Sequence, residues 1–416
     1  MYDFIELRLT FLSVINNMCN KMKIIGVRNM ALNNLMIDFL KRFDENPFCI
    51  ELNGKEYLIG EGNPMFRIKS NKELSITDLM TSTSLALGEA YMKGDIEIEG
   101  DLYHALNCFL GQMGKFQTDK KTLKKLIFSS NSKKNQKQEV SSHYDIGNDF
   151  YKLWLDESLS YSCAYFASDK DTLFEAQNNK IERILKKLDL KPGMELLDIG
   201  CGWGSLLIHA AKEYGVTGKG ITLSEEQYKS FKQRIEVEGL SDRLSVEILD
   251  YRDLPKQEWT FDRVVSVGMI EHVGRDNYNK FLSCVDSVLK PHGLFLLHYI
   301  SALKEYPGDP WIKKYIFPGG MVPSLREIIN LCSDYNFYTL DVESLRRHYN
   351  RTLLNWDKNF NEHRDEIEKM MGTEFTRMWD LYLCACAATF NNGIIDLHQI
   401  LISKGINNEL PMTRWY

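Results

Sequence analysis

Apolar and polar positions along this chain repeat with two different periods, and the change of period divides the sequence into regions. From about residue 140 to the end, short apolar runs alternate with segments of helical period. Such alternation predicts an α/β domain with a parallel sheet and helices between the strands. The five predicted strands, some with the turns that follow them, lie at residues 194–204, 218–224, 245–250, 261–267 and 293–300.

The first 114 residues follow a mixed pattern, which predicts a smaller α+β domain. Residues 48–59 alternate around the pair Asn53-Gly54, a pattern typical of a β-hairpin. Between the two regions, residues 115–139 carry eight lysines and only two acidic side chains. This segment is predicted to be a solvated linker. A compatible alternative is that its lysines also contact anionic lipid headgroups.

Charge and cysteine content narrow the possible partners. A net charge of −6 over 416 residues gives no general attraction to nucleic acid, and neither a nucleic-acid site nor a metal site is predicted. Nine scattered cysteines without a Cys-x-x-Cys pair favour reduced thiols in a cytoplasmic protein. No apolar run approaches the ~20 residues that span a bilayer, so a lipid substrate would be met from the membrane surface.

A glycine-rich loop follows the first predicted strand of the α/β region. Glycines at Gly200, Gly202 and Gly204 follow Asp198 in the pattern D-x-G-x-G-x-G, and a helical segment follows them. Glycines allow a tight turn and a close approach of the backbone to a ligand. The pattern resembles the nucleotide loop of class I S-adenosylmethionine methyltransferases, and Asp198 lies where a carboxylate can meet a cationic amino-acid group.

Polar side chains at the other strand ends are further candidates, because ligands bind at the carboxyl ends of parallel strands. They are Thr222 with Gln227, Tyr251 with Arg252, Glu271, and His298. In class I methyltransferases an acidic residue usually ends the second strand and binds the ribose hydroxyls. Thr222 stands at that place here, so its hydroxyl and the Gln227 amide would take over that contact.

A set of longer motifs resembles a specific family, the cyclopropane-fatty-acyl-phospholipid synthases and the related mycolic acid cyclopropane synthases. The matching strings are SHYDIGN (142–148), YSCAY (161–165), LDIGCGWG (197–204), GITLSEEQ (220–227), DYRDL (250–254), GMIEHVG (268–274), WIKKYIFP (311–318) and ACAA (385–388). They cover nearly all of the α/β region. LGEAYMKGD (87–95) extends the resemblance into the first region, which favours the bacterial phospholipid enzymes with their extra N-terminal domain.

The resemblance implies two sets of site residues. The family's cofactor contacts fall on Tyr161, Ser162, Gly200, Gly202, Thr222, Gln227, Tyr251 and Arg252, beside Asp198 and Gly204 of the loop. The family uses a bicarbonate ion as base, and its ligands fall on the Cys163 backbone, Glu271, His298, the Ile300 backbone and Tyr349. Small departures from the family pattern occur at Tyr299, Ser301 and His348, and none of them removes a named group.

The implied reaction transfers the methyl group of S-adenosylmethionine to the cis double bond of an unsaturated acyl chain in a membrane phospholipid. Loss of a proton to bicarbonate then closes a cyclopropane ring. The passing cation requires a dry site and a base about 3 Å from the new methyl group. Aromatic faces can stabilise a cation, and the candidates are Tyr165, Phe166, Tyr299 and Tyr315.

Two features have competing interpretations. Cys386 is either an active-site thiol, and so a further catalytic candidate, or a small buried side chain on an apolar helix. The segment that starts at Asp309-Pro310 predicts a short helix with Asp309 as N-cap. That helix is either a lid over an acyl channel or an ordinary amphipathic core helix.

Other functions remain open at the level of sequence. A relative could methylate another acceptor or give a methyl-branched lipid, and a non-catalytic lipid-binding protein could keep the fold. An intact glycine loop with Glu271, His298 and Tyr349 argues against the last alternative. The predicted partner is the phospholipid bilayer surface, with a possible homodimer, and the predicted location is the cytoplasm, peripheral at the inner face of the membrane.

The lysine-rich segment allows a direct test of membrane contact. Replacing five lysines between Lys115 and Lys137 by glutamine should weaken binding to anionic vesicles, because each surface lysine contributes about 1 kcal/mol there. The effect should be smaller at high salt, which screens these charges. Vesicle sedimentation measures the binding, and unchanged sedimentation at low salt would identify the segment as a plain linker.

Overall fold

The computed structural model describes residues 37–38, 40–52, 54–72, 74, 78, 81–112 and 147–416. The predicted lysine-rich linker at 115–139 lies outside the described residues. In chain order the strands and helices are β1 (Phe48–Leu52), β2 (Lys55–Ile59), β3 (Arg67–Ser70), α1 (Thr83–Met92), β4 (Ile96–Glu99), α2 (Leu102–Gly111), α3 (Asn148–Trp154), α4 (Leu173–Lys187), β5 (Glu195–Ile199), α5 (Ser205–Tyr214), β6 (Thr217–Thr222), α6 (Glu225–Val237), β7 (Leu244–Ile248), β8 (Phe261–Val267), α7 (Tyr278–Val288), β9 (Leu289–Ala302), α8 (Pro310–Tyr315), α9 (Leu325–Cys332), β10 (Phe337–Ser344), α10 (Arg346–Glu362), α11 (Arg364–Met371), α12 (Thr373–Asn391) and β11 (Ile395–Lys404).

The chain forms two compact units whose boundaries differ from the predicted linear division into 1–114, 115–139 and 140–416. The first unit joins the described residues up to Gln112 with Asp309–Tyr315 and Asn361–Ile394. The second contains the described residues from Gly147 onward, without those two segments. Periodicity along the chain could not show this, because it reports the type of each helix and not the sheet or helix against which it packs.

The first unit has a four-stranded sheet in the order β2-β1-β3-β4. The predicted hairpin is confirmed, since Phe48 pairs with Ile59 and Leu52 with Lys55 in antiparallel register. Gly54 in the turn has φ +73°, a conformation that glycine adopts without strain. Aromatic side chains of β1 and α2 pack edge to face in the core, with ring centroids of Phe48 and Phe109 5.2 Å apart.

Side chains of the two C-terminal segments explain why they belong to the first unit. Trp311 packs on Gly88 so closely that a Cβ at this glycine would overlap the indole ring. The Arg377 guanidinium donates to the carbonyls of Tyr91 (2.6 Å) and Ile96 (3.0 Å). The predicted cap is confirmed as well, because the backbone N–H groups of Trp311 and Ile312 donate to Asp309 Oδ1.

The second unit has a seven-stranded sheet in the order β10-β11-β9-β8-β5-β6-β7. The five predicted strands are confirmed as the parallel part. The sheet as a whole is mixed, because β11 pairs antiparallel with both β9 and β10. Both strands escaped the sequence reading, since polar side chains at positions such as Asp341, His398 and Gln399 interrupt their apolar runs.

Strand alternation places one core on each face of this sheet. Leu197, Ile199 and Val264 pack into one core, and Leu196 and Val265 pack into the other. Helix α5 covers the second face with the predicted apolar side chains Leu206, Leu207, Ala210 and Ala211. Because β5, β6, β7, β8 and β9 are parallel, their carboxyl ends meet at one edge, where a ligand site is expected.

Among the described segments, no helix has both the length and the apolar character that a membrane span requires.

Candidate functional site

The glycine loop connects β5 to α5, and Gly202 and Gly204 have different physical roles. All three lie at positive φ, with +85° at Gly200, +55° at Gly202 and +84° at Gly204. A Cβ at Gly204 would overlap the ring of Phe231, so packing requires glycine there. Within the described residues nothing lies within 4 Å of a Cβ built at Gly202. Gly202 therefore borders open space, as expected for a backbone that a ligand approaches closely.

This loop forms one wall of a cavity at the carboxyl edge of the sheet. All ten predicted cofactor residues line the cavity: Tyr161, Ser162, Asp198, Gly200, Gly202, Gly204, Thr222, Gln227, Tyr251 and Arg252. The structure thus brings together residues that are up to 91 positions apart in the sequence (161 to 252). Their contact with a cofactor stays a prediction. Sequence reasoning missed Lys180 and His272, which line the same cavity.

Thr222 and Gln227 are already joined by hydrogen bonds at the end of β6. The Thr222 hydroxyl donates to Gln227 Oε1 at 2.7 Å and accepts from the backbone N–H of Ser224 at 3.2 Å. Ser224 in turn caps α6 by accepting from the Gln227 N–H. The Gln227 carboxamide is thereby fixed by its oxygen, so its NH₂ group is directed away from Thr222. A neutral pair with a fixed amide donor occupies the place where an acidic residue is usual.

Asp198 is a buried carboxyl group at the end of β5. Its side chain is almost inaccessible, and its Oδ1 has no hydrogen-bond partner among the residues that the structure describes. Burial raises the pKa of Asp198 to about 7, and the nearby charge of Lys180 opposes this rise. An incoming cation would provide the partner that the carboxylate lacks.

Glu271 lies in a short 3₁₀ turn, Ile270–His272, directly after β8. Its Oε1 accepts from the backbone N–H of Ile300 at 2.6 Å. Its Oε2 is buried and has no hydrogen-bond partner in the described part of the chain. Burial raises the pKa of Glu271 to about 7. The carboxyl group therefore titrates near neutral pH and keeps one oxygen available.

His298 lies near the carboxyl end of β9, on the same face as Ile300. Its Nδ1 accepts from Gln399 Nε2 at 3.1 Å, an arrangement that leaves the imidazole proton on Nε2. This Nε2 is buried without a hydrogen-bond partner among the described residues. Burial, with smaller contributions from the charges of Lys180 and Lys187, lowers the pKa of His298 well below its ordinary value. The side chain is thus a neutral donor.

The other predicted anion ligands, Cys163 and Tyr349, are connected through Leu345 to the strand pair that contains Ile300. The Cys163 thiol donates to the Leu345 carbonyl at 3.8 Å, and the Tyr349 N–H donates to the same carbonyl at 3.1 Å. The Leu345 N–H donates to the carbonyl of Leu397, which pairs with Ile300 across β9 and β11. One expectation changes here, because the backbone N–H of Ile300 is engaged by Glu271 and does not point freely toward an anion.

Two of the aromatic rings predicted to stabilise a cation already have partners. The Tyr165 ring stacks on His348 at 4.6 Å, and the Arg183 guanidinium lies 4.6 Å from its centroid. Arg351 lies 4.0 Å from the centroid of Phe166. Tyr299 points to the opposite face of β9 from His298 and packs in a core. These contacts make all three rings poor candidates for contact with a reacting chain.

Cys386 lies on α12, in the first compact unit. Although the residue is only partly buried as a whole, burial of its thiol raises the pKa of Cys386 to about 12. A neutral thiol is a weak proton acceptor. The geometry therefore favours the interpretation of Cys386 as a packing residue, and its role in catalysis stays a prediction.

Comparison with known proteins gives two family matches. Residues 131–400 match the family described as mycolic acid cyclopropane synthetase, and residues 35–121 match a domain of unknown function (DUF7884). The chain is 41% identical over 337 residues to cyclopropane-fatty-acyl-phospholipid synthase from Escherichia coli strain K12, with 80% of this chain and 86% of the relative covered. It is 39% identical over 356 residues to a probable fatty acid methyltransferase from Pseudomonas putida, with 82% and 89% covered.

Solved structures agree with these matches. The cyclopropane synthase MmaA2 from Mycobacterium tuberculosis is 34% identical, with a TM-score of 0.61 over 64% of this chain and 98% of that protein. Mycolic acid cyclopropane synthase CmaA1, solved with S-adenosylhomocysteine, gives a TM-score of 0.60 at 34% identity over 64% of this chain and 98% of that one. Coclaurine N-methyltransferase, at 20% identity and a TM-score of 0.63 over 78% of this chain and all of that one, shares the fold. The second unit therefore has the class I S-adenosylmethionine methyltransferase fold.

The loop geometry predicts different effects for two glycine substitutions. Gly202→Val should abolish S-adenosylmethionine binding, because the new side chain fills open space beside the backbone, and it should also cost ~1–3 kcal/mol of stability, because valine is strained at φ +55°. Gly204→Ala should lower stability by ~1–3 kcal/mol through packing alone, since its Cβ overlaps a packed ring. Calorimetric titration and thermal unfolding of both variants measure the two effects. Unchanged affinity in the Gly202 variant would exclude the loop as part of the cofactor site.

Glu271 predicts a dependence of stability on pH. Its pKa rises from 4.5 to about 7 on folding, so between these values the folded chain binds a proton more tightly than the unfolded chain. Stability from this group is therefore present at low pH and falls as pH rises toward 7. On going from about pH 5 to about pH 8, Glu271→Gln should gain roughly 3 kcal/mol relative to the parent. Urea unfolding of both proteins in bicarbonate-free buffer tests this, and a difference independent of pH would contradict it.

Proposed function

Because the chain belongs to the mycolic acid cyclopropane synthetase family, we propose that it forms cyclopropane rings on the unsaturated acyl chains of membrane phospholipids. The enzyme class is that of the S-adenosylmethionine-dependent methyltransferases, with relatives named cyclopropane-fatty-acyl-phospholipid synthase. The observation that carries the proposal is the pair of unpartnered buried atoms, Glu271 Oε2 and His298 Nε2, in the described part of the site. A methyltransferase without a proton to remove has no need for this pair.

The extent of the matches supports a phospholipid rather than a mycolic acid substrate. The match to the E. coli phospholipid enzyme covers 80% of this chain. The match to cyclopropane mycolic acid synthase 1 covers 96% of that protein but only 64% of this chain. Part of the sequence shared with the phospholipid enzyme is thus absent from the mycolic acid enzyme, which agrees with a substrate presented by a bilayer.

The cavity fits S-adenosylmethionine, which when bound supplies an electrophilic methyl group on a sulfonium. Gly202 leaves space for the ligand beside the backbone. Asp198 offers an unpartnered carboxylate oxygen, within the described residues, to a cationic amino-acid group. The hydroxyl of Thr222 and the fixed amide of Gln227 face the same cavity and suit a ribose. These residues would bind and orient the ligand through polar contacts.

The pair of unpartnered atoms, Glu271 Oε2 and His298 Nε2, fits a small oxyanion that carries one hydroxyl group, and bicarbonate is such an ion. Bound there, bicarbonate supplies a weak base for the proton that leaves the methyl group. Glu271 Oε2 would accept the hydroxyl proton of such an ion, and neutral His298 Nε2–H would donate to one of its oxygens, since both atoms lack a partner among the described residues. Both side chains are more than nine-tenths buried. The site thus offers complementary polar groups while it excludes bulk water, which would otherwise trap a carbocation.

Access to the acyl chain is proposed to occur at the membrane surface, with the protein peripheral to the inner face of the membrane in the cytoplasm. The lysine-rich sequence at 115–139 supports this, because surface lysines are attracted to anionic headgroups.

Two substitutions separate an ion-assisted mechanism from a thiol-based one. Glu271→Gln should lower turnover roughly 100-fold, the scale expected when a positioned acid–base group is lost, with little change in S-adenosylmethionine affinity. Cys386→Ser should keep most activity, because a thiol with a pKa of about 12 is neutral at the working pH. Turnover is measured on vesicles of a phospholipid with cis-unsaturated chains.

Bicarbonate dependence and product analysis complete the test. Adding bicarbonate to a depleted assay should raise the rate of the parent enzyme and much less that of the Glu271 variant. Mass spectrometry before and after ozone treatment should find acyl chains that gain one carbon and resist cleavage. A chain that gains one carbon yet remains cleavable would indicate a methyl-branched product. An inactive Cys386→Ser beside an active Glu271→Gln would show that the ion-assisted mechanism is wrong.

A further inference from the structure

Helix α4 buries three polar side chains, Gln177, Lys180 and Lys187, and the first two form hydrogen bonds with Ser162. Gln177 is fully buried, and Lys180 is 4% exposed. Gln177 Nε2 donates to the carbonyls of Ser162 (2.9 Å) and Ser160 (3.3 Å). Lys180 Nζ donates to the hydroxyl of Ser162 at 2.7 Å. A lysine is almost never buried to this extent without compensating polar partners, so its position requires an explanation.

The contact with Ser162 constrains the direction of one hydroxyl proton. An ammonium group has three donors and no acceptor. Ser162 Oγ must therefore accept from Lys180, and its own proton is left to donate elsewhere. Ser162 and Lys180 both line the cofactor cavity, so an acceptor in that cavity is in position to receive it.

The same cavity also contains a carboxylate, whose charge is opposite to that of the Lys180 ammonium group. Asp198 lines it with an Oδ1 that lacks a partner in the described part of the chain. Burial lowers the pKa of Lys180 to about 8, while the charges of Asp156, Cys163 and Asp198 oppose that shift. Lys180 is consequently an ammonium group at neutral pH. Lys180 with the oriented Ser162 hydroxyl matches the carboxylate of a zwitterionic amino acid. The unpartnered carboxylate of Asp198 matches its ammonium group.

We propose that Lys180 is a positioning residue that orients the Ser162 hydroxyl toward the α-carboxylate of the cofactor, while Asp198 receives its α-ammonium group. The inference rests on the proposed function in one respect, namely that the cavity binds S-adenosylmethionine. It adds a residue that the family resemblance did not indicate. It also explains why α4 buries the charge of Lys180 together with the apolar side chains of Ala176, Ile181 and Ile184.

Decarboxylated S-adenosylmethionine, which lacks only the α-carboxylate, isolates this contact. Calorimetric titration of the intact protein with both ligands should show a preference for S-adenosylmethionine of about tenfold or more, as expected for a hydrogen bond to a charged group. Lys180→Met should lose most of this preference, because its affinity for S-adenosylmethionine falls while that for the decarboxylated ligand changes little. Lys180→Arg, which keeps the charge, should recover part of it. Competition against S-adenosylhomocysteine extends the measurement to weak binding.

Lys186→Met is the matched control, because Lys186 lies on the same helix with half of its side chain exposed and pairs only with Glu182 among the described carboxylates. Both affinities should stay within about twofold of the parent values. Should Lys180→Met fail to fold, as judged by thermal unfolding, Ser162→Ala provides the second variant and should also reduce the preference.

Three results have distinct meanings. An unchanged preference in Lys180→Met, or in Ser162→Ala if only that variant folds, overturns the inference. An equal loss of affinity for both ligands also overturns it, since it assigns Lys180 only a structural role. Failure of the parent protein to bind S-adenosylmethionine at all would instead contradict the proposed function.

Discussion

The hydrogen bond from the Ile300 amide to Glu271 Oε1, 2.6 Å long, determines what the base site can do. It connects the short turn after β8 to β9 and fixes the orientation of the carboxyl group. It occupies one oxygen and leaves the other buried without a partner among the described residues. Backbone hydrogen bonds from Ile300 and from Glu271 itself do not offset the loss of hydration, which is why the pKa of Glu271 rises to about 7 despite them. The site can therefore bind a hydrogen-bond donor, because one buried carboxylate oxygen of Glu271 has no partner among the described residues.

The parallel strands and the loop glycines could be predicted from the sequence, because each requires particular residue types at neighbouring positions. A buried parallel strand favours an apolar run, as at Leu294–Leu297 of β9, and β8 has the predicted bounds Phe261–Val267 although three polar residues interrupt it. A backbone at positive φ needs glycine, as at Gly200 and Gly204. Strands β10 and β11 lack such a local sequence pattern. They carry polar residues because β10 is an edge strand and β11 holds Gln399 against His298.

Buried polar side chains were the main structural feature that could not be predicted from the sequence. Lys180 and Lys187 lie seven residues apart on α4, so they share a face with apolar residues and read as interruptions of that face. The structure gives each a separate partner, Ser162 for Lys180 and Glu343 of β10 for Lys187, at 2.7 Å in both cases. Their partners lie 18 and 156 positions away in the sequence. No local pattern predicts pairing over such separations, and the family resemblance likewise transferred only residues that match known motifs.

The two carboxyl groups at the sheet edge explain how the site can be both dry and reactive. Asp198 and Glu271 each have a pKa of about 7 because burial disfavours their charged forms. A cation that binds beside such a group favours its ionised form and is bound more tightly in return. Lys180 supplies one fixed positive charge near Asp198. Its hydrogen bond, however, is directed to Ser162, so the carboxylate remains available for a cationic ligand. Occupation of the cavity by a positively charged ligand and ionisation of Asp198 are therefore coupled, and the charged state of the site is completed only when the ligand is present.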